Sequence, residues 1–145
     1  MKTVQAVIEA LASFEAEHDE TGNMHRLYQI FEDFESLPNR ELAMPAMFSL
    51  LERFPEAQFG SPGPLGHELE AIPGYEPLLK ESLAKQPTAL TVWMVNRILN
   101  SNLALKDRKT WLDTLHSAAK HPHAPPFVRE SALHFIERQE RRGNP

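Results

Sequence analysis

The stretch "QFGSPGPLGHELEAIPGYEP", residues 58–77, decides how the rest of this chain folds. It sets four prolines and four glycines between two segments of helical apolar spacing. Proline removes a backbone donor, and glycine opens turns closed to other residues. Such a stretch is either a joint between helical layers or a lid over catalytic groups. Apart from a short turn of helix near 65–70, it reads as a joint.

On both sides of it the apolar residues recur every three or four positions. Upstream these are Val4, Val7, Ile8, Leu11 and Phe14; Met24, Leu27, Tyr28, Phe31 and Phe34; and Leu42, Met47, Leu50, Leu51 and Phe54. Downstream come Leu78, Leu79 and Leu83, then "TVWMVNRILN" at 91–100, which is apolar nearly all round and reads as the most buried helix. Trp111, Leu112, Leu115 and Ala119 mark another helix, and Phe127, Val128, Ala132, Leu133, Phe135 and Ile136 the last. No segment alternates as a convincing strand.

Pro38, Pro55, Pro73, Pro87 and Pro122 fall between these patterns. Pro45 sits near the start of the third helix or kinks it. Asn23 and Thr88 are placed to cap helices, and Pro125-Pro126 to open the last one. Seven main helices with short connections must run antiparallel in sequence. Residues 1–145 are therefore expected to form one all-α domain of stacked antiparallel helix pairs. The shape would be a small, irregular, right-handed α-α superhelix of the HEAT or armadillo kind, with a compact bundle as the competing architecture.

The chain holds 145 residues and no cysteine, so it has no disulfide framework and no thiol nucleophile. No apolar run is long enough to span a bilayer. The N-terminal segment is amphipathic, interrupted by Glu9, and does not read as a signal peptide; the cytoplasm is the expected location. The net charge of −5 hides a split. Residues 1–81 carry 15 acids and 5 bases, whereas residues 82–145 carry 5 acids and 10 bases. An acidic first half repels phosphates, so nucleic acid is not an expected partner; a basic protein is.

Motifs of chemistry fail one by one. His67-Glu68-Leu69-Glu70-Ala71 begins like the zinc-protease signature, but Ala71 stands where the second histidine must be. Gly60-Ser61-Pro62-Gly63 lacks the glycine spacing and preceding strand of a nucleophile elbow. "PGPLG" lacks the lysine that grips phosphate. His116, His121, His123 and His134 cluster in sequence, but histidine is also favoured near helix C-termini, and the structural reading is the simpler one. Asn96, Arg97 and Asn100 interrupt the most apolar helix and are expected to pin neighbouring linkers, the 60–74 segment among them. The basic tail "ERQERRGNP" reads as a solvated helix end, with Glu137 and Arg141 spaced to pair. No catalytic, cofactor or metal residue is assigned.

"FEAEHDE" and "FEDFES" put acids where the first two helices would end, against the helix dipole, unless both helices end a turn earlier and leave the acids in solvated loops. If helices alternate up and down, the first and third end along one edge. That edge would gather Glu15, Glu17, Asp19, Glu20, Glu52 and Glu56. Phe59 and the 60–70 loop would follow, with His67, Glu68 and Glu70. The expected product is an acidic ridge with a rigid turn and an aromatic beside it, suited to masking Lys and Arg on a partner.

Residues 58–102 also carry a resemblance. The Ser-Pro-Gly-Pro-Leu turn at 61–65, the Tyr-Glu-Pro-Leu-Leu segment at 75–79 and "TVWMVNR" at 91–97 are similar to segments of small helical immunity proteins of bacterial polymorphic-toxin and contact-dependent growth inhibition systems. The resemblance implies a cytoplasmic protein that binds the C-terminal domain of a cognate toxin, often a nuclease, and blocks its active site without catalysis or cofactor. It transfers no contact residue. The second reading is a HEAT-like adaptor for a peptide or regulator. The third is an enzyme with 60–70 as a lid, His67 and Glu68 as acid and base, and Asn96 and Arg97 in the same pocket.

Overall fold

A computed structural model describes residues 2–143; Met1 and the last two residues of the basic tail lie outside them. Eight α-helices follow one another: α1 (Val4–Ala12), α2 (Glu20–Ile30), α3 (Met44–Arg53), α4 (Gly63–Ala71), α5 (Tyr75–Lys85), α6 (Ala89–Leu99), α7 (Leu105–Lys120) and α8 (Pro126–Gly143). Two 3-10 turns, Phe34–Ser36 and Arg40–Ala43, bridge α2 to α3. No strand occurs among the described residues.

Local chemistry explains most of these boundaries. Thr88 caps α6 reciprocally with Thr91. The Thr91 N–H donates to Thr88 Oγ1 at 3.1 Å, and the Thr88 N–H donates to Thr91 Oγ1 at 3.0 Å. Two donors at the helix start thus meet side chains, and the Ala89 N–H donates to Pro55 O at 2.9 Å. Leu90, Val92, Met94, Val95 and Leu99 of α6 are buried, as its sequence implies. Pro45 falls in the first turn of α3, where its missing N–H has no helical acceptor to lose, so it starts the helix without kinking it. Asn23 is not a cap. Asp19 holds the cap position of α2, and Asn23 lies inside the helix, fully buried.

The segment 58–77 contains more helix than one turn. Its centre is α4, nine residues long, with Leu65 and Leu69 fully buried. Gly60 supplies the bend into it, at φ +98°, where a β-carbon would stand 2.6 Å from Gly63 Cα. Gly74, at φ +85°, turns the chain into α5. A helix with this buried face is part of the core and cannot act as a lid.

The helices stack in two layers. α1 packs on α3, α3 on α5, and α5 on α7. On the other side α2 packs on α4, and α6 on α8. α4 meets α6 through Gly66, whose β-position faces Leu90, and through an ion pair of Glu70 with Arg97 at 3.3 Å. Each helix therefore touches the next but one, as the stacked-pair reading requires. The C-terminal end is more bundle-like, because α6, α7 and α8 all touch one another. One apolar core runs from Val7 to Ile136.

A buried polar network closes that end. Gln139 of α8 is 2% exposed. Its Nε2 donates to Asn96 Oδ1 and Asn100 Oδ1, each at 2.8 Å. Arg108 donates to its Oε1 at 3.2 Å and to its backbone oxygen at 2.7 Å. Asn96 thus pins α8, not the 60–74 segment. Arg97 does reach that segment, through Glu70. Arg141 pairs with Glu137 on α8.

Candidate functional site

The edge begins with the end of α1. Leu11, in the last turn of α1, and Phe14, just past its end, turn backbone carbonyls toward α3. Arg53, the last residue of α3, donates to Leu11 O at 2.8 Å and to Phe14 O at 3.2 Å. The two helices are thereby held with their C-termini side by side, and a cation meets the negative end of α1.

Beyond these ends run two loops, held together by Asn23. Its Oδ1 accepts from the Glu17 N–H at 2.9 Å, and its Nδ2 donates to Glu17 O at 2.8 Å and to Gln58 O at 3.1 Å. Arg26 donates to the same Oδ1 at 2.9 Å and lies 4.3 Å above the Phe14 ring. One buried amide therefore ties the loop at 17 to the strand-like segment at 58. Between the loops lies a groove of about 430 Å³, with Ala16, Glu17 and His18 on one wall and Phe54 to Gln58 on the other. Glu17 and Glu56 are both exposed on its rim.

Of the residues expected on an acidic ridge, five belong to this edge. Glu15, Glu17 and Asp19 are exposed in the loop after α1, Glu20 is exposed at the start of α2, and Glu56 is exposed after α3. They break no helix preference. α1 ends at Ala12, short of the acids, and Asp19 and Glu20 stand at the N-terminus of α2, where the dipole favours them. Likewise α2 ends at Ile30, before Glu32, Asp33 and Glu35.

The other five lie elsewhere. Glu52 turns toward α5 and accepts from Ser82 Oγ at 2.7 Å. Phe59 is 1% exposed and packs edge-on against Phe14, with centroids 6.3 Å apart, so it anchors the edge from beneath and offers no aromatic to a partner. His67 and Glu68 sit near Glu35, past the opposite end of α2; eleven helical residues, about 16 Å, separate that end from Asp19. Glu70 faces Arg97. The 60–70 segment left the ridge because it became a helix packed along α2.

The far cluster has its own chemistry. His67 Nε2 lies 3.3 Å from Glu35 Oε1. Glu68 is 6% exposed, and its Oε2 has no hydrogen-bond partner. Burial, reinforced by the Glu35 charge, pushes the Glu68 carboxyl above the usual carboxylate range, while His67 and Arg40 oppose the shift. Burial also raises Glu70, against the pull of Arg97 and His67. The four groups of the enzyme reading are not assembled: His67 and Glu68 face Glu35, Arg97 faces Glu70, and Asn96 faces α8.

Two of the four C-terminal histidines, His116 and His121, have partners for their rings. His121 donates from Nε2 to Ala84 O at 2.7 Å and accepts at Nδ1 from the His123 N–H at 3.0 Å, which leaves no ring nitrogen for a metal. His116 lies 3.0 Å from Glu140.

Sequence reasoning missed Asn23 as the clamp, Arg53 as the bridge and Glu35 as the neighbour of His67. Asn23 had one usable signal, an amide among the apolar positions of α2's inner face. Comparison of the chain with protein families, with curated proteins and with solved structures finds no match. No helix among the described residues is long and apolar enough to cross a membrane.

Proposed function

We propose that this chain is an immunity protein: it binds a basic toxin domain through Glu15, Glu17, Asp19, Glu20 and Glu56 and covers that domain's active site. The observation that carries the reading is the clamp of Asn23 on both walls of the acidic groove. Carboxylates on loops fixed this way lose little freedom on binding, so more of the charge attraction survives as affinity. Acids of one sign around a rigid edge also steer a basic partner into place. The similarity of residues 58–102 to immunity proteins supplies the class of partner, and it implies action in the cytoplasm of the toxin-producing cell. No cofactor enters this role.

The test is co-expression with the C-terminal domain encoded immediately upstream. Growth should be rescued by the wild-type chain and not by a Glu17→Lys/Glu56→Lys variant that folds normally. Rescue by that variant would remove the edge from the interface, and absence of rescue by the wild type would remove the immunity reading for that pair.

A further inference from the structure

We propose that Glu35, His67 and Glu68 bind a divalent transition-metal ion of the zinc class, at a site separate from the acidic edge and independent of the immunity reading. One imidazole nitrogen and two carboxylate oxygens, one ligand atom from each residue, lie within 4.8 Å of one another. His67 Nε2 and Glu35 Oε1 stand 3.3 Å apart. Two ligand atoms at about 2.1 Å from a tetrahedral ion stand roughly 3.4 Å apart, so this pair already has the spacing of one coordination edge.

The second observation is the state of Glu68. Its side chain is buried, and Oε2 is left without a hydrogen-bond donor. A buried carboxylate oxygen whose lone pairs meet no donor is costly and calls for a cation or a donor. Arg40 acts on it only from a distance. A metal ion between Glu68 and the Glu35–His67 pair would supply the missing partner and relieve the repulsion between the two carboxylates.

The scaffold can hold such a geometry. Glu35 stands on a 3-10 turn anchored by the fully buried Phe34, and Ser36 Oγ fastens the turn by donating to Asp33 O at 2.8 Å. His67 and Glu68 stand on α4, fixed by Leu65 and Leu69. The failed zinc-protease pattern thus finds a ligand 32 residues upstream in place of the absent histidine at 71. Nitrogen with carboxylate oxygens suits zinc-class ions, and the exposure of Glu35 and His67 leaves positions for water or a partner's side chain.

The experiment is calorimetric titration of the chelator-stripped full chain with zinc, paired with cobalt spectroscopy. One saturable ion per chain is expected, with cobalt ligand-field bands that disappear in His67→Ala. His67→Ala and Glu35→Gln, both at exposed side chains that folding does not need, should each weaken zinc by about a hundredfold or more. His121→Ala should leave the affinity unchanged. A zinc-induced rise in Tm should vanish in Glu68→Gln. Absence of saturable binding at millimolar zinc would overturn the proposal. So would binding unaffected by His67→Ala and Glu35→Gln, or binding lost in His121→Ala.

Discussion

Asn23 and Glu17 share two hydrogen bonds: the Asn23 side chain reads both the N–H and the C=O of Glu17, at 2.9 and 2.8 Å, from inside the core. The acidic loop is therefore held through its backbone, which leaves the carboxylates free.

Asn23→Ala removes these bonds and the one to Gln58, and leaves the part-buried carbonyls of Glu17 and Gln58 without this donor. We expect a loss of about 2 kcal/mol in denaturant unfolding. Amide exchange should rise first at Glu17 and Ala57, the hydrogen-bonded amides of the two loops, whereas an equally destabilised α8 variant should leave both protected.

Charge reversal at Glu17 or Glu56 is expected to act on the proposed partner contact alone. Both side chains are exposed, and neither has a hydrogen bond to lose among the described residues. Tm should stay at the wild-type value, while affinity for the toxin domain falls by about tenfold or more for each. Glu52→Lys, by contrast, breaks the bond to Ser82 and should lower Tm with little effect on partner affinity.

Phe59→Ala tests the corrected role of that ring. Emptying a site that is 1% exposed should cost about 4 kcal/mol in unfolding free energy. Affinity for the proposed partner, measured on the remaining folded fraction, should be close to wild type, because the buried ring offers it no surface.

Gln139→Leu should cost about 2 kcal/mol, since it leaves Asn96, Asn100 and Arg108 short of a partner together. A thermal melt of the variant checks this. With chelator present, Glu68→Gln should do the reverse and raise Tm, because it deletes a buried charge that lacks a donor.

The helical layers were legible because their signal is local. The three-and-four spacing from Val4 to Phe14 or from Trp111 to Ala119 gives the buried face directly, and Thr88 with Thr91 marks a helix start. α4 was under-read because its prolines and glycines resemble a loop, although Pro64 sits in a first turn where proline is tolerated. The ridge was half legible. Consecutive acids stay together through any fold, so Glu15 to Glu20 could be grouped from sequence. Joining them to His67 and Glu68 required the direction of α4 against α2, which no residue pattern encodes. Phe59 and Asn23 show the same limit: an aromatic beside acids and an amide near a helix start each had a plausible surface role, and only the packing put both inside.

The proposed interface is tested most directly by the affinity of this chain for the purified C-terminal domain of the protein encoded immediately upstream, the proposed toxin, for wild type and for Glu17→Lys/Glu56→Lys, at low and high salt. Tight one-to-one binding that weakens with salt and is lost in the double variant at unchanged Tm is expected. Binding that ignores both salt and the double substitution would contradict the proposed interface.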